Sequence, residues 1–252
     1  MRYLLIVFIL LVTLYAEDSE EKKQKVTIGL GPYFQTQPYK GTESIFIPSP
    51  VIFFDNSLFY VRWSRAGIYF LGNRGDVISW GFSLTIQPRT FGYVPEETES
   101  LKGMNERKTT FEGGIAFSAS YKEKYIEMML LTDILDRHDS WIFKTEIGDE
   151  YKFSSLHFYP SLILIYQSKE FINYYYGVTE EEASRTSFSF YSPGDGIELG
   201  LQTYIKYPIT DTLSILANIR ADIIPKNAQN SPLVVDNIIY SGLFSLIYSF
   251  EY

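Results

Sequence analysis

A chain of 252 residues with 46% hydrophobic and 17% aromatic side chains is sized for one domain, and its net charge of −8 argues against nucleic acid as a partner. The lack of cysteine excludes both a disulfide framework and a lipid-anchored cysteine. Beyond residue 16 no apolar run is long enough for a membrane-spanning helix.

The chain opens with Arg2, an apolar run from Tyr3 to Tyr15, and Ala16, followed by the charged stretch from Glu17 to Lys23. That order predicts a secretory signal peptide over 1–16, too short for a comfortable membrane span, and a periplasmic tail over 17–24. From Lys25 onward the dominant pattern is period two. Val26, Ile28, Leu30, Pro32 and Phe34 alternate with Thr27, Gly29, Gly31 and Tyr33, and the first strand is placed there. A Pro-, Gly- and Gln-rich loop is expected through Pro48, then a hairpin of two short runs, 49–54 and 57–63, joined at Asp55-Asn56. Further strands are read at 66–72, 76–90, 108–121, 124–134, 141–150, 156–168, 196–207 and 212–223, and 169–195 is read as a loop. The last strand, 238–252, alternates a continuous apolar face ending in Tyr248, Phe250 and Tyr252 with small or polar residues.

Strands of ten or more residues with one lipid-compatible face, 21 Tyr and 19 Phe, short turns at one end and long loops at the other describe an outer-membrane barrel. The expected fold is all-β: a transmembrane antiparallel up-and-down β-barrel of about twelve strands, ten or fourteen being the neighbouring even counts, filling 25–252. The signal peptide and the barrel together place it in the outer membrane of a Gram-negative bacterium. The inward face then carries Lys25, Glu112, Glu127, Lys144, Glu146, Glu198, Lys206, Arg220, Asp222 and Glu251. Charges of both signs point to ion pairs across the lumen and to a narrow or blocked pore.

Catalytic constellations are weak. His157 is expected in the lumen near Ser155 and Ser161, a hydrogen-bonding role being favoured over a triad. Asp133, Asp136, His138 and Asp139 cluster on an external loop without metal-ligand spacing and read as solvated charge, as does the run Glu180-Glu181-Glu182. Tyr174 to Tyr176 read as an interface girdle. No cofactor, metal or enzymatic activity is expected.

Three groups of residues also carry a resemblance. Gly29, Leu30 and Gly31 come with Pro38, Tyr39, Lys40 and Gly41. The segment from Leu101 through Gly103 and Met104 to Arg107 leads to Glu112, Gly113 and Gly114. Tyr174, Tyr175, Tyr176, Gly177 and Val178 precede Glu182 and Ala183. In this order and spacing they resemble the MipA/OmpV family of MltA-interacting proteins, over essentially the whole mature chain. Closure on Tyr252 departs from the more usual Phe but keeps an aromatic end. The resemblance implies an outer-membrane scaffold linking a lytic transglycosylase to a penicillin-binding protein in peptidoglycan assembly. Its other implied partners are outer-membrane lipid, lipopolysaccharide and, during insertion, the barrel-assembly machinery. The short periplasmic turns offer less than the roughly 800 Å² per side of a standard interface. The family residues fall mostly at external ends, so an adhesin or lipopolysaccharide-contacting role, or a narrow pore, stands as the alternative.

Overall fold

The structure, a computed structural model, describes residues 24–75 and 77–251. The expected signal peptide, the charged stretch to Lys23 and Tyr252 lie outside the described residues.

Thirteen strand segments follow in chain order: β1 (Lys25–Gln35), β2 (Ile45–Asp55), β3 (Phe59–Arg62), β4 (Arg65–Arg74), β5 (Ile78–Arg89), β6 (Thr110–Tyr121), β7 (Lys124–Asp133), β8 (Trp141–Gly148), β9 (Tyr151–Phe153), β10 (Leu156–Gln167), β11 (Gly196–Pro208), β12 (Leu213–Ile223) and β13 (Ile238–Glu251). β8 and β9 both pair with β10 in a single register. Their interruption lies opposite Pro160, which has no N–H to give across. Counted as one strand, they make the wall twelve strands, and β1–β13 and β10–β11 pairing closes it.

The strands tilt as closure requires. Asp55, at the lower end of β2, shares a hydrogen-bonding row with Tyr60, and Gly67 with Thr85, Gly114, Leu131, Ile142 and finally Gln167 at the upper end of β10. Close approach decides where glycine stands on the inner face. A Cβ on Gly31 would lie 1.9 Å from the Phe244 carbonyl, and one on Gly114 1.9 Å from that of Leu130. The outer face carries exposed Leu30, Phe46, Ile68, Leu84, Ile115, Leu201, Phe244, Tyr248 and Phe250, as a lipid-facing surface must. No helix among the described residues is long and apolar enough to cross a membrane.

Three expectations change. β2 begins at Ile45, so the loop expected through Pro48 is partly strand, because its prolines direct their nitrogens to an unpaired edge. β3 has only four residues. The segment 169–195, read as a loop, holds α1 (Lys169–Tyr176) and α2 (Glu180–Arg185), and a third short helix, α3 (Lys226–Gln229), follows β12. Helices form there because Ser168 and Thr179 cap them, Ser168 Oγ accepting from Phe171 N and Thr179 Oγ1 from Glu182 N. With the connections after β1, β5 and β12 they build a packed lid over the end bearing the long loops.

A packed lid over a charged lumen

The lid has an apolar core of its own. Tyr39 lies 4.7 Å from Tyr93, 5.3 Å from Phe91 and 6.0 Å from Tyr176, centroid to centroid. Tyr175 joins Phe91 at 5.0 Å and Phe171 at 4.8 Å. Leu101, Met104, Ile172, Val178, Ala228 and Leu233 fill the remainder. The spacing of Phe171, Ile172, Tyr175 and Tyr176 puts all four on one face of α1, and all four are buried. Tyr175 and Tyr176, expected in an interface girdle, are core residues instead, because the helix turns them inward over the barrel mouth.

One ion pair organises this core. Glu182, fully buried, accepts from Arg107 Nη2 at 2.9 and 3.1 Å, from Asn105 N at 2.9 Å and from Thr179 N at 2.9 Å. Arg107 also donates to the carbonyls of Asn105 at 3.0 Å and Gly177 at 3.2 Å. Burial alone would raise the Glu182 carboxyl, but the Thr179 N–H and the Arg107 guanidinium outweigh it and hold the group below its ordinary value. Burial pushes the Tyr93 hydroxyl up to about 12. Glu182 therefore departs from the solvated run in which it was placed; Glu181 keeps to it, meeting only Arg185 at 3.0 Å on the surface.

The family-motif positions divide between lid and wall. Tyr39, Met104, Tyr175, Tyr176 and Val178 are in the lid core. Gly41 and Gly103 hold positive φ, 71° and 89°, in its loops, Pro38 accepts from Val235 N, and Gly177 ends α1. Gly29, Gly31, Glu112 and Gly114 sit on the inner wall. His138, read as solvated, is buried beside Phe171, Tyr174 and Tyr175 with its Nδ1 2.5 Å from Ser140 Oγ. Burial lowers its basicity. Asp133 folds the same loop on itself, accepting from Thr110 Oγ1 at 2.5 Å and from the N–H groups of Leu135, Arg137, His138 and Asp139.

Beneath the lid lies a cavity of about 1170 Å³. Its lining runs from Phe91, Phe171 and Tyr176 under the lid to Lys25, Asp55, Arg74 and Lys206 at the lower strand ends. Ion pairs cross its charged side. Arg65 and Arg62 reach Glu127 at 2.5 and 2.8 Å, Lys144 meets Glu146 at 3.1 Å, and Arg220 meets Asp222 at 2.7 Å and Glu198 at 3.9 Å. Glu112 stands behind Arg89 at 2.8 Å. His157 meets Glu150 at 3.0 Å near the lower end, where Tyr159 Oη donates to the same carboxylate at 3.2 Å. Among the described residues no group of His, Asp and Glu is arranged to hold a metal. Arg62, Arg65 and Arg89 were not among the expected lumen charges. The alternation of Gln87 and Arg89 with Ile86 and Pro88 could have identified Arg89, whereas the pairing of Arg107 with Glu182 has no local signal.

A family profile described as MltA-interacting protein MipA matches residues 28–250. The MltA-interacting protein of Escherichia coli K12 is 23% identical over 88% of each chain. The putative outer membrane protein YiaT of the same organism is 22% identical over 84% of this chain and 86% of its own. Among solved structures, the translocator domain of autotransporter NalP from Neisseria meningitidis is 8% identical over 96% of this chain and 92% of its own, with a TM-score of 0.41. With the profile spanning nearly every strand of the barrel, the chain belongs to the MipA family of MltA-interacting proteins, as an outer-membrane β-barrel.

Proposed function

We propose that the protein is a non-catalytic envelope scaffold of the MltA-interacting type, contacting a peptidoglycan-remodelling enzyme from its periplasmic rim, and not a through-channel. The observation that carries this reading is the lid: a packed core with a buried ion pair closes the outer mouth, while the lumen lining continues to Lys25, Asp55, Arg74 and Lys206 at the lower rim. A cup open to the periplasm adds concave charged surface to the turns, which by themselves offer too little area for a standard interface. The name of the Escherichia coli relative points to a lytic transglycosylase as the partner class, and a penicillin-binding protein is the second partner in this reading.

Photo-crosslinkers at Asn56, Lys122 and Asp211, in the short turns, test it in intact cells. Capture of a lytic transglycosylase or a peptidoglycan synthase is expected. Crosslinks to peptidoglycan alone, with the protein verified in the outer membrane, overturn the scaffold reading and return the function to the external surface. Planar-bilayer recordings are expected to be silent, and stable conductance steps would instead favour a pore.

A further inference from the structure

In one sector the wall lacks strand neighbours. β3 pairs with β2 only at Phe53, Phe54 and Asp55, yet β2 continues up to Ile45, so from Ile45 to Val51 it faces no strand on that side among the described residues. Across this notch, β4 pairs with β5 only as far as Ile86, leaving Gln87, Pro88 and Arg89 held from β6 alone. The sill is the β3–β4 turn at Trp63 and Ser64.

An open sheet edge facing hydrocarbon is ordinarily excluded, because each unpaired backbone group costs several kcal/mol. Here proline lowers that cost on both sides of the notch by removing N–H groups. Trp63 N donates to Ile52 O at 2.8 Å, which marks the even-numbered residues of β2 as those whose backbone groups point across the notch. Pro48 and Pro50 are among them and have no N–H to leave unpaired, and Ser49 Oγ donates to the Pro50 carbonyl at 3.3 Å. Phe111 O accepts from Ile134 N at 3.0 Å on its β7 side, so Phe111 and Pro88 face each other as a non-hydrogen-bonded pair and the Pro88 nitrogen also faces the notch. Three of the donors an open edge would leave unpaired are thus absent from its two flanking strands.

The notch joins two apolar regions. Outside it are lipid-facing Phe46, Ile86 and Phe111. Inside it is the apolar side of the lumen, where Val51, Leu216, Leu243 and Ile247 pack with Tyr33, Phe53, Trp63 and Tyr204. Trp63 stands between the two. Its φ of 56° is a rare backbone state for so bulky a residue. Its indole donates to Ser49 Oγ at 3.0 Å and meets Tyr33 and Tyr204 edge-on at 5.6 and 6.5 Å.

We propose that the notch is a lateral portal through which an acyl chain of an outer-leaflet lipid enters the apolar side of the lumen, with Trp63 as its shutter. Position selects the occupant: lipid chains fill the space outside a membrane-embedded wall, the lid closes the route from above, and the receiving wall is apolar. Each absent strand frees about 4.8 Å of wall, room for an extended hydrocarbon chain.

The test uses the full barrel in phosphatidylcholine vesicles doped with phosphatidylcholine carrying a diazirine at mid-chain, photolysed and mapped by mass spectrometry. Adducts are expected on inward-facing Phe53, Trp63 and Leu243, falling severalfold in Ser49→Tyr, while adducts on outward-facing Phe46 and Ile86 persist and report an assembled barrel. Adducts confined to Phe46 and Ile86 in the unaltered protein overturn the portal, and so do lumenal adducts that Ser49→Tyr leaves unchanged, since those chains arrive from the lower mouth. Should Ser49→Tyr fail to assemble, Trp80→Phe with Trp141→Phe leaves Trp63 as the lone indole. Brominated lipid should then quench its emission, and unquenched emission overturns the proposal.

Discussion

The lid and the lumen beneath it both bury charge, but they balance it differently. In the lid, one carboxylate meets one guanidinium and their other partners are uncharged backbone groups, so each charge has the other as its counter-charge: Arg107 is 6% exposed and Glu182 fully buried. In the lumen, Glu127 is shared by Arg62 and Arg65, Glu198 by Arg220 and Gln167, and Glu112 by Arg89 and Gln87, all beside a cavity with room for water. A redundant network beside water should absorb the loss of one member. A single enclosed pair should not.

The largest effect should come from breaking the lid pair. Glu182→Ala leaves Arg107 buried without its partner, at a cost of about 3 to 5 kcal/mol to lid closure. Amide exchange through α1 and α2 should rise, and the silent barrel should acquire conductance steps. Arg65→Met should be milder, about 1 to 3 kcal/mol in a thermal or denaturant transition, because Arg62 remains on Glu127. A lumen pair that proved as costly as the lid pair would erase the contrast.

Acid should separate the regions further. Burial holds His138 below its ordinary value, so the neutral ring favours the folded lid at and above pH about 6.5, and that contribution is lost as pH falls below it. Glu182 is likewise held below the ordinary carboxylate value, so its contribution is present above pH about 4.3 and is lost as pH falls through its folded value. Exchange within the lid should therefore accelerate in two steps on acidification, the first absent in a His138→Phe variant. The smallest effect is expected one residue from the largest: Glu181→Ala removes only an exposed pair with Arg185 and should change stability by less than about 0.5 kcal/mol.

That Glu181 and Glu182 differ so much is also the measure of what could be read from sequence. Both belong to one charge run, and only the capping box with Thr179, a three-residue signal, marks Glu182 as placed. Its main partner, Arg107, lies 75 residues away. Likewise Tyr174 to Tyr176 read as a girdle because tyrosine is common at interfaces, and nothing local says that α1 lays two of them under the lid. His138 and Asp133 read as solvated because they stand in a charged external cluster without metal-ligand spacing. Trp63 gave no signal, since its importance depends on β3 being short.

The sequence by itself determined the barrel. Alternation is a covalent consequence of the extended chain, so which side chains face lipid and which face inward follows from residue order wherever a strand forms. Lys144, Glu146, Glu198, Arg220 and Asp222 line the cavity for that reason alone. Tertiary structure decided whatever depends on how strands end and loops return: the closed lid, its buried ion pair and the notch above Trp63. Each is a meeting of residues far apart in the chain, set by closure and packing, and no periodicity within either partner encodes the other.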